Sequence, residues 1–158
     1  MMRRKYDSGF SLIELLIVVA IILVIAAIAI PSLMRSRMAA NEASAIGSLR
    51  TINTAAVSYS STYSIGYPSS LNDLAPSTLP SSTASDLIDS VLVSGVKSGY
   101  AFSYTPGAAG TSGLVTTYTI TADPLAPGTS GQKGFFTDQS LVIRANLTGS
   151  ASVTDPPI

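Results

Sequence analysis

The chain has 158 residues, with nine Lys plus Arg against nine Asp plus Glu, no histidine and no cysteine. Without histidine it lacks the commonest general base and the commonest transition-metal ligand, and without cysteine it can form no disulfide, thiolate nucleophile or thiolate metal site. Charged residues are only 11% of the chain, and no basic cluster marks a folded face for nucleic acid.

In chain order the first feature is Arg3, Arg4 and Lys5, followed by an apolar run from Phe10 to Ile30 that a single acid, Glu14, interrupts. Those residues make a helix of about 31 Å, which matches a bilayer core of about 30 Å. Three positive charges precede the run and two, Arg35 and Arg37, follow it, so the charge bias leaves the N-terminus in the cytoplasm. A carboxylate in such a run costs roughly 2.5–3.5 kcal/mol near mid-membrane and less near the ends, so Glu14 needs a compensating partner. An ordinary cleaved secretory signal is one alternative, with Ala27-Ile28-Ala29 as its small-x-small site. Its apolar core would be unusually long, and Glu14 would sit inside it. A plain uncleaved anchor is another alternative, and it has no use for the acid.

The stretch Gly9-Phe10-Ser11-Leu12-Ile13-Glu14-Leu15-Leu16-Ile17-Val18 resembles the cleavage and assembly motif of type IV pilins and type II secretion pseudopilins. The resemblance implies that a prepilin peptidase cuts between Gly9 and Phe10 and methylates the new amino group of Phe10. It also implies a membrane-held precursor, an inner-membrane assembly platform and motor, and a homo-oligomeric filament at the cell surface or in the periplasm. Residues 1–9 are then a leader, whose removal takes Arg3, Arg4, Lys5 and Asp7 and leaves six basic against eight acidic side chains. The Phe10 amine, once free, is a cation four residues before Glu14. It can pair with Glu14 of the same chain or, in register, with that of a neighbour.

Residues 10–30 form the transmembrane and filament-core helix in this reading, and 31–66 its amphipathic continuation. Pro31 lacks a donor and crowds the preceding turn, which predicts a kink, with simple termination as the alternative. Ala39, Ala43, Ile46, Leu49, Asn53, Ala56, Val57 and Ser60 recur at three and four residues and predict one packed face. Gly66 and Pro68 supply the stop.

Residues 67–158 form the expected extracytoplasmic head. Tyr67-Pro68-Ser69-Ser70-Leu71-Asn72-Asp73-Leu74 resembles the segment after the long helix in pseudopilins and simple pilins. A short helix or turn is expected around 85–93, with Leu87, Ile88, Val91 and Leu92 inward. Alternation predicts strands at Tyr100–Tyr104, at Leu114–Ala122 with Asp123-Pro124 as the break, and a hairpin pairing Phe135-Phe136 with Leu141–Arg144. The tail beyond Asn146 is rich in Ser, Thr and Pro and is expected to be mobile. The fold class is therefore α+β, a long N-terminal helix packed on a small antiparallel sheet of three or four strands.

Tyr59 and Tyr63 could begin an aromatic ladder beside Phe10, but core packing explains them more simply. Asp123, Asp138 and Asp155 are weak calcium candidates with no diagnostic spacing, and solvated turn aspartates are the simpler reading. No metal or cofactor and no nucleic-acid partner are expected. The function expected is that of a non-enzymatic structural subunit, a major type IV pilin-like protein. The alternatives are a major pseudopilin of type II secretion, or an anchored or secreted binding module that forms no filament.

Overall fold

The computed structural model describes residues 9–111 and 113–158. The chain divides into two units, Met1–Ser36 and Arg37–Ile158. Helix α1, Leu12–Tyr63, begins in the first and ends in the second.

Within the first unit the large apolar side chains from Phe10 to Met34 are exposed. Such a surface is unstable in water and stable in lipid, where a helix satisfies its own backbone groups. The helix is long and apolar enough to cross a membrane. Pro31 lies inside it, so the chain does not end its helix there.

In the second unit the helix stops at Tyr63, three residues before Gly66, which takes a φ of +87°. That conformation suits glycine, and the close approach of Val115 backbone leaves no room for a Cβ. The buried face of this half is Ala45, Ser48, Leu49, Ile52, Asn53, Ala55, Ala56 and Tyr59. This corrects the predicted stripe. Leu49, Asn53 and Ala56 are on it, whereas Ala39, Ala43 and Val57 are exposed. Small residues at helical spacing occur on both sides here, and only the bulky Ile52 and Tyr59 distinguish the side that fills the core. Leu49 and Ile52, both fully buried, each contribute about 1.5–3 kcal/mol by leaving water.

After a 3-10 turn, Leu71–Leu74, comes α2, Ser90–Val93, capped by the Asp89 side chain accepting from the Leu92 N–H at 2.7 Å. Ile88 and Leu92 are buried as expected, but Val91 is 49% exposed, because this helix is one turn long and turns it outward. Five strands follow: β1 Val96–Lys97, β2 Tyr100–Pro106, β3 Tyr118–Pro124, β4 Gly134–Asp138 and β5 Arg144–Asn146. They lie in the order β1-β2-β3-β4-β5, each antiparallel to the next. The two-residue β1 carries no alternation to recognise, so the sheet has one strand more than the sequence pattern indicated.

Strand β3 starts later and ends later than its predicted span. Its predicted beginning leaves the sheet: Val115 accepts from the Tyr67 N–H at 2.7 Å and bridges to Gly66. Asp123 and Pro124 remain paired, opposite Ala101 and Tyr100. A proline is tolerated there because it sits at the strand end. Leu141 does not extend a strand either. Its φ of 65° turns the chain before β5 begins at Arg144.

One sheet face packs on the helix through Tyr100, Phe102, Tyr118, Ile120 and Phe135, which cluster with Leu49, Ile52 and Tyr59. The tail beyond Asn146 is tied down, contrary to expectation. Ala145 N–H donates to Pro156 O at 3.1 Å and Ile158 N–H to Ile143 O at 3.0 Å. Asp155 accepts from Asn146 Nδ2 and from Ser152 N–H. Ala151 is buried as a result. Composition indicated a polar, turn-rich tail, and the unpaired edge of β5 supplied the partner.

Candidate functional site

The acid in the apolar run has a local partner. Glu14 is the third residue of α1, and its Oε2 accepts the Ser11 backbone N–H at 2.9 Å. Ser11 immediately precedes the helix, so Ser11-Leu12-Ile13-Glu14 supplies the backward arm of a capping box. The carboxylate also sits at the positive end of the helix dipole, where anions are stabilised by about 0.3–1 kcal/mol. Sequence reasoning treated Glu14 as half of an ion pair and overlooked this cap, although Ser-x-x-Glu before an apolar run is its signature.

Gly9 and Phe10 lie just ahead of the helix; Phe10 is 86% exposed, and among the described residues nothing lies within 4 Å of a Cβ built at Gly9. Arg3, Arg4 and Lys5 lie outside the described residues.

The second unit holds its helix to the sheet by polar contacts as well as by the core. Asn53 accepts the Tyr118 hydroxyl at 3.0 Å and donates to Thr137 Oγ1 at 2.9 Å. Farther along, Asn41 donates to Ser130 O at 2.7 Å, and Glu42 accepts the backbone N–H groups of Gln132 and Lys133. Gly131 lies against the Tyr100 ring so closely that any side chain there would collide with it. Burial, aided by Glu42 and Asp123, pushes the Tyr100 phenol up to about 12. Tyr104 and Tyr118, stacked at 5.6 Å, are also raised, mainly by burial.

The three aspartates considered for calcium are not brought together. Asp138 accepts from Ser140 N–H, and Asp155 from Ser152 and Asn146. Among the described residues Asp123 Oδ1 is buried without a hydrogen-bond partner, beside a small cavity of about 190 Å³ that Gly149 and Ser150 also line. Among the described residues no group of three Asp or Glu could hold a metal ion. Tyr59 and Tyr63 contact one another at 5.0 Å, and Tyr59 belongs to the core. A groove of about 650 Å³ lies on the outer sheet face between Thr105, Thr119, Thr121, Phe136 and Val153.

These features define a class: one apolar helix able to cross a membrane, whose chain continues into an α+β unit consistent with the pilin fold. Residues 4–30 match the family model described as the prokaryotic N-terminal methylation motif, the signal motif of type IV pilins and pseudopilins. That motif implies processing by a prepilin peptidase and a membrane-anchored precursor. No curated protein and no solved structure matched the chain.

Proposed function

We propose that the chain is a structural filament subunit, a major type IV pilin-like protein that assembles through its N-terminal helix. The observation that carries this reading is the methylation motif over residues 4–30, with Glu14 four residues beyond Phe10. In this reading Arg3, Arg4 and Lys5 hold the leader in the cytoplasm, cleavage frees the Phe10 amine, and the apolar helix stores the subunit in the inner membrane. A platform and motor then draw it into a filament, at the surface or in the periplasm.

Glu14 has two successive roles. In the single subunit it caps the helix through Ser11. On docking it pairs with the methylated Phe10 amine of a neighbour, so two groups that are costly alone in lipid neutralise each other. Pro31 kinks the helix between the residues 10–30 segment and the amphipathic 31–66 segment. In this reading the head is structural. Residues 67–158 present no histidine, no cysteine and no clustered acids among the described residues.

Intact-mass measurement of the mature protein, with electron microscopy of sheared fibres, tests the proposal. A chain starting at methylated Phe10, found in long surface fibres, is the expected result. A chain starting at Ile30 would overturn it in favour of a secreted module. Secretion loss without fibres would instead assign the subunit to a type II secretion pseudopilus.

A further inference from the structure

Arg35 and Arg37 follow the apolar span directly, are exposed, and make no ion pair among the described residues. The next acid along the chain, Glu42, is already occupied by the Gln132 and Lys133 N–H groups and by Lys133 Nζ at 3.6 Å. Counting from Ile30, helical rise places Arg35 about 7.5 Å and Arg37 about 10 Å beyond the span. The headgroup layer on one side of a bilayer is about 5–7 Å deep. Arginine stems lie along apolar surface and return the guanidinium to that layer, and the exposed Leu33 and Met34 supply the surface.

Two arginines beyond the span also oppose the charge bias that orients it. A guanidinium repays that cost where it meets phosphate oxygens, which it binds through two parallel hydrogen bonds. We propose that Arg35 and Arg37 each bind anionic phospholipid headgroups in the leaflet where the span ends, fixing the depth of the helix before assembly. This rests on the membrane-stored subunit proposed above.

The test reconstitutes the full chain in phosphatidylcholine vesicles carrying spin-labelled phosphatidylglycerol or phosphatidylcholine and measures the lipid immobilised by the protein. The wild type is expected to prefer phosphatidylglycerol, and Arg35→Gln/Arg37→Gln to lose about fivefold of that preference. Arg50→Gln, 20 residues beyond Ile30 in the sequence, is the control and should change nothing. A double variant that keeps the wild-type preference overturns the proposal, as does an equal loss in Arg50→Gln. Unchanged preference with weakened self-association would assign the arginines to a second copy instead. A wild type that immobilises neither lipid would overturn the membrane reading itself, a separate failure.

Discussion

The Ser11 backbone N–H and the Glu14 carboxylate meet at 2.9 Å, so the single acid of the apolar helix is satisfied before any neighbour arrives. Under the proposed function, a neighbour's amine would add a second partner to a carboxylate already placed by its own turn. The geometry leaves Oε1 without a protein partner among the described residues.

Capping and ion pairing can be separated at Glu14. Glutamine keeps a carbonyl oxygen able to accept from Ser11 but removes the charge. Glu14→Gln is expected to be cleaved normally and to yield at least about tenfold fewer filaments, because each neighbouring amine is left unpaired in apolar surroundings. Quantitative blotting of the processed chain and of sheared fibres checks this. Normal filament yield would show that the cap alone is what assembly requires.

Among the described residues Asn53 is the one buried side chain that joins helix, β3 and β4 by hydrogen bonds, through Tyr118 and Thr137. Asn53→Ala leaves both hydroxyls without their partner and should destabilise the head by about 1–3 kcal/mol. Thermal unfolding of the detergent-solubilised chain, followed in the near ultraviolet, reads the loss. Asn53→Ala with an unchanged midpoint would mean that water replaces the network without cost.

Alkali should unfold the head. Tyr100, Tyr104 and Tyr118 hold their protons more tightly when folded than when unfolded, chiefly because burial disfavours the phenolate. Their stabilising contribution is complete below pH 10, the unfolded value, and declines as pH rises towards 12 and beyond. Tyrosinate absorbance and circular dichroism are expected to change together above pH 10. Smooth, independent phenol titration with the fold intact would contradict this.

Asp123 should respond to the removal of its charge. Among the described residues its buried Oδ1 lacks a donor, and Asp123→Asn removes the charge from that position. The variant is expected to be as stable as the wild type or up to about 1 kcal/mol more stable. Millimolar calcium should leave the wild-type midpoint unchanged. A calcium-dependent rise that Asp123→Asn abolishes would identify a metal site.

The tail provides a further test. Asp155→Ala removes acceptors from Ser152 and Asn146 and is expected to open residues 147–158 to protease while the sheet core stays protected. Mass analysis of the fragments reads this, and an uncut tail would show that its backbone pairing to β5 suffices.

The sequence by itself determined the apolar helix, its cleavage motif and the inward residues of β2 and β3. Each depends on neighbours in the chain: continuous apolarity for lipid, Gly9-Phe10 with Glu14 for processing, and alternation at Tyr100, Phe102, Tyr118 and Ile120 for a half-buried strand. The tertiary structure alone decided which side of residues 37–63 faces the core, because alanine and serine fit either side until Ile52 and Tyr59 meet the sheet. It also decided that Val115 leaves the sheet for the turn after the helix, and that the tail closes on β5. Those outcomes depend on backbone partners distant in sequence, and no local pattern of side chains encodes where an unpaired N–H will find its carbonyl.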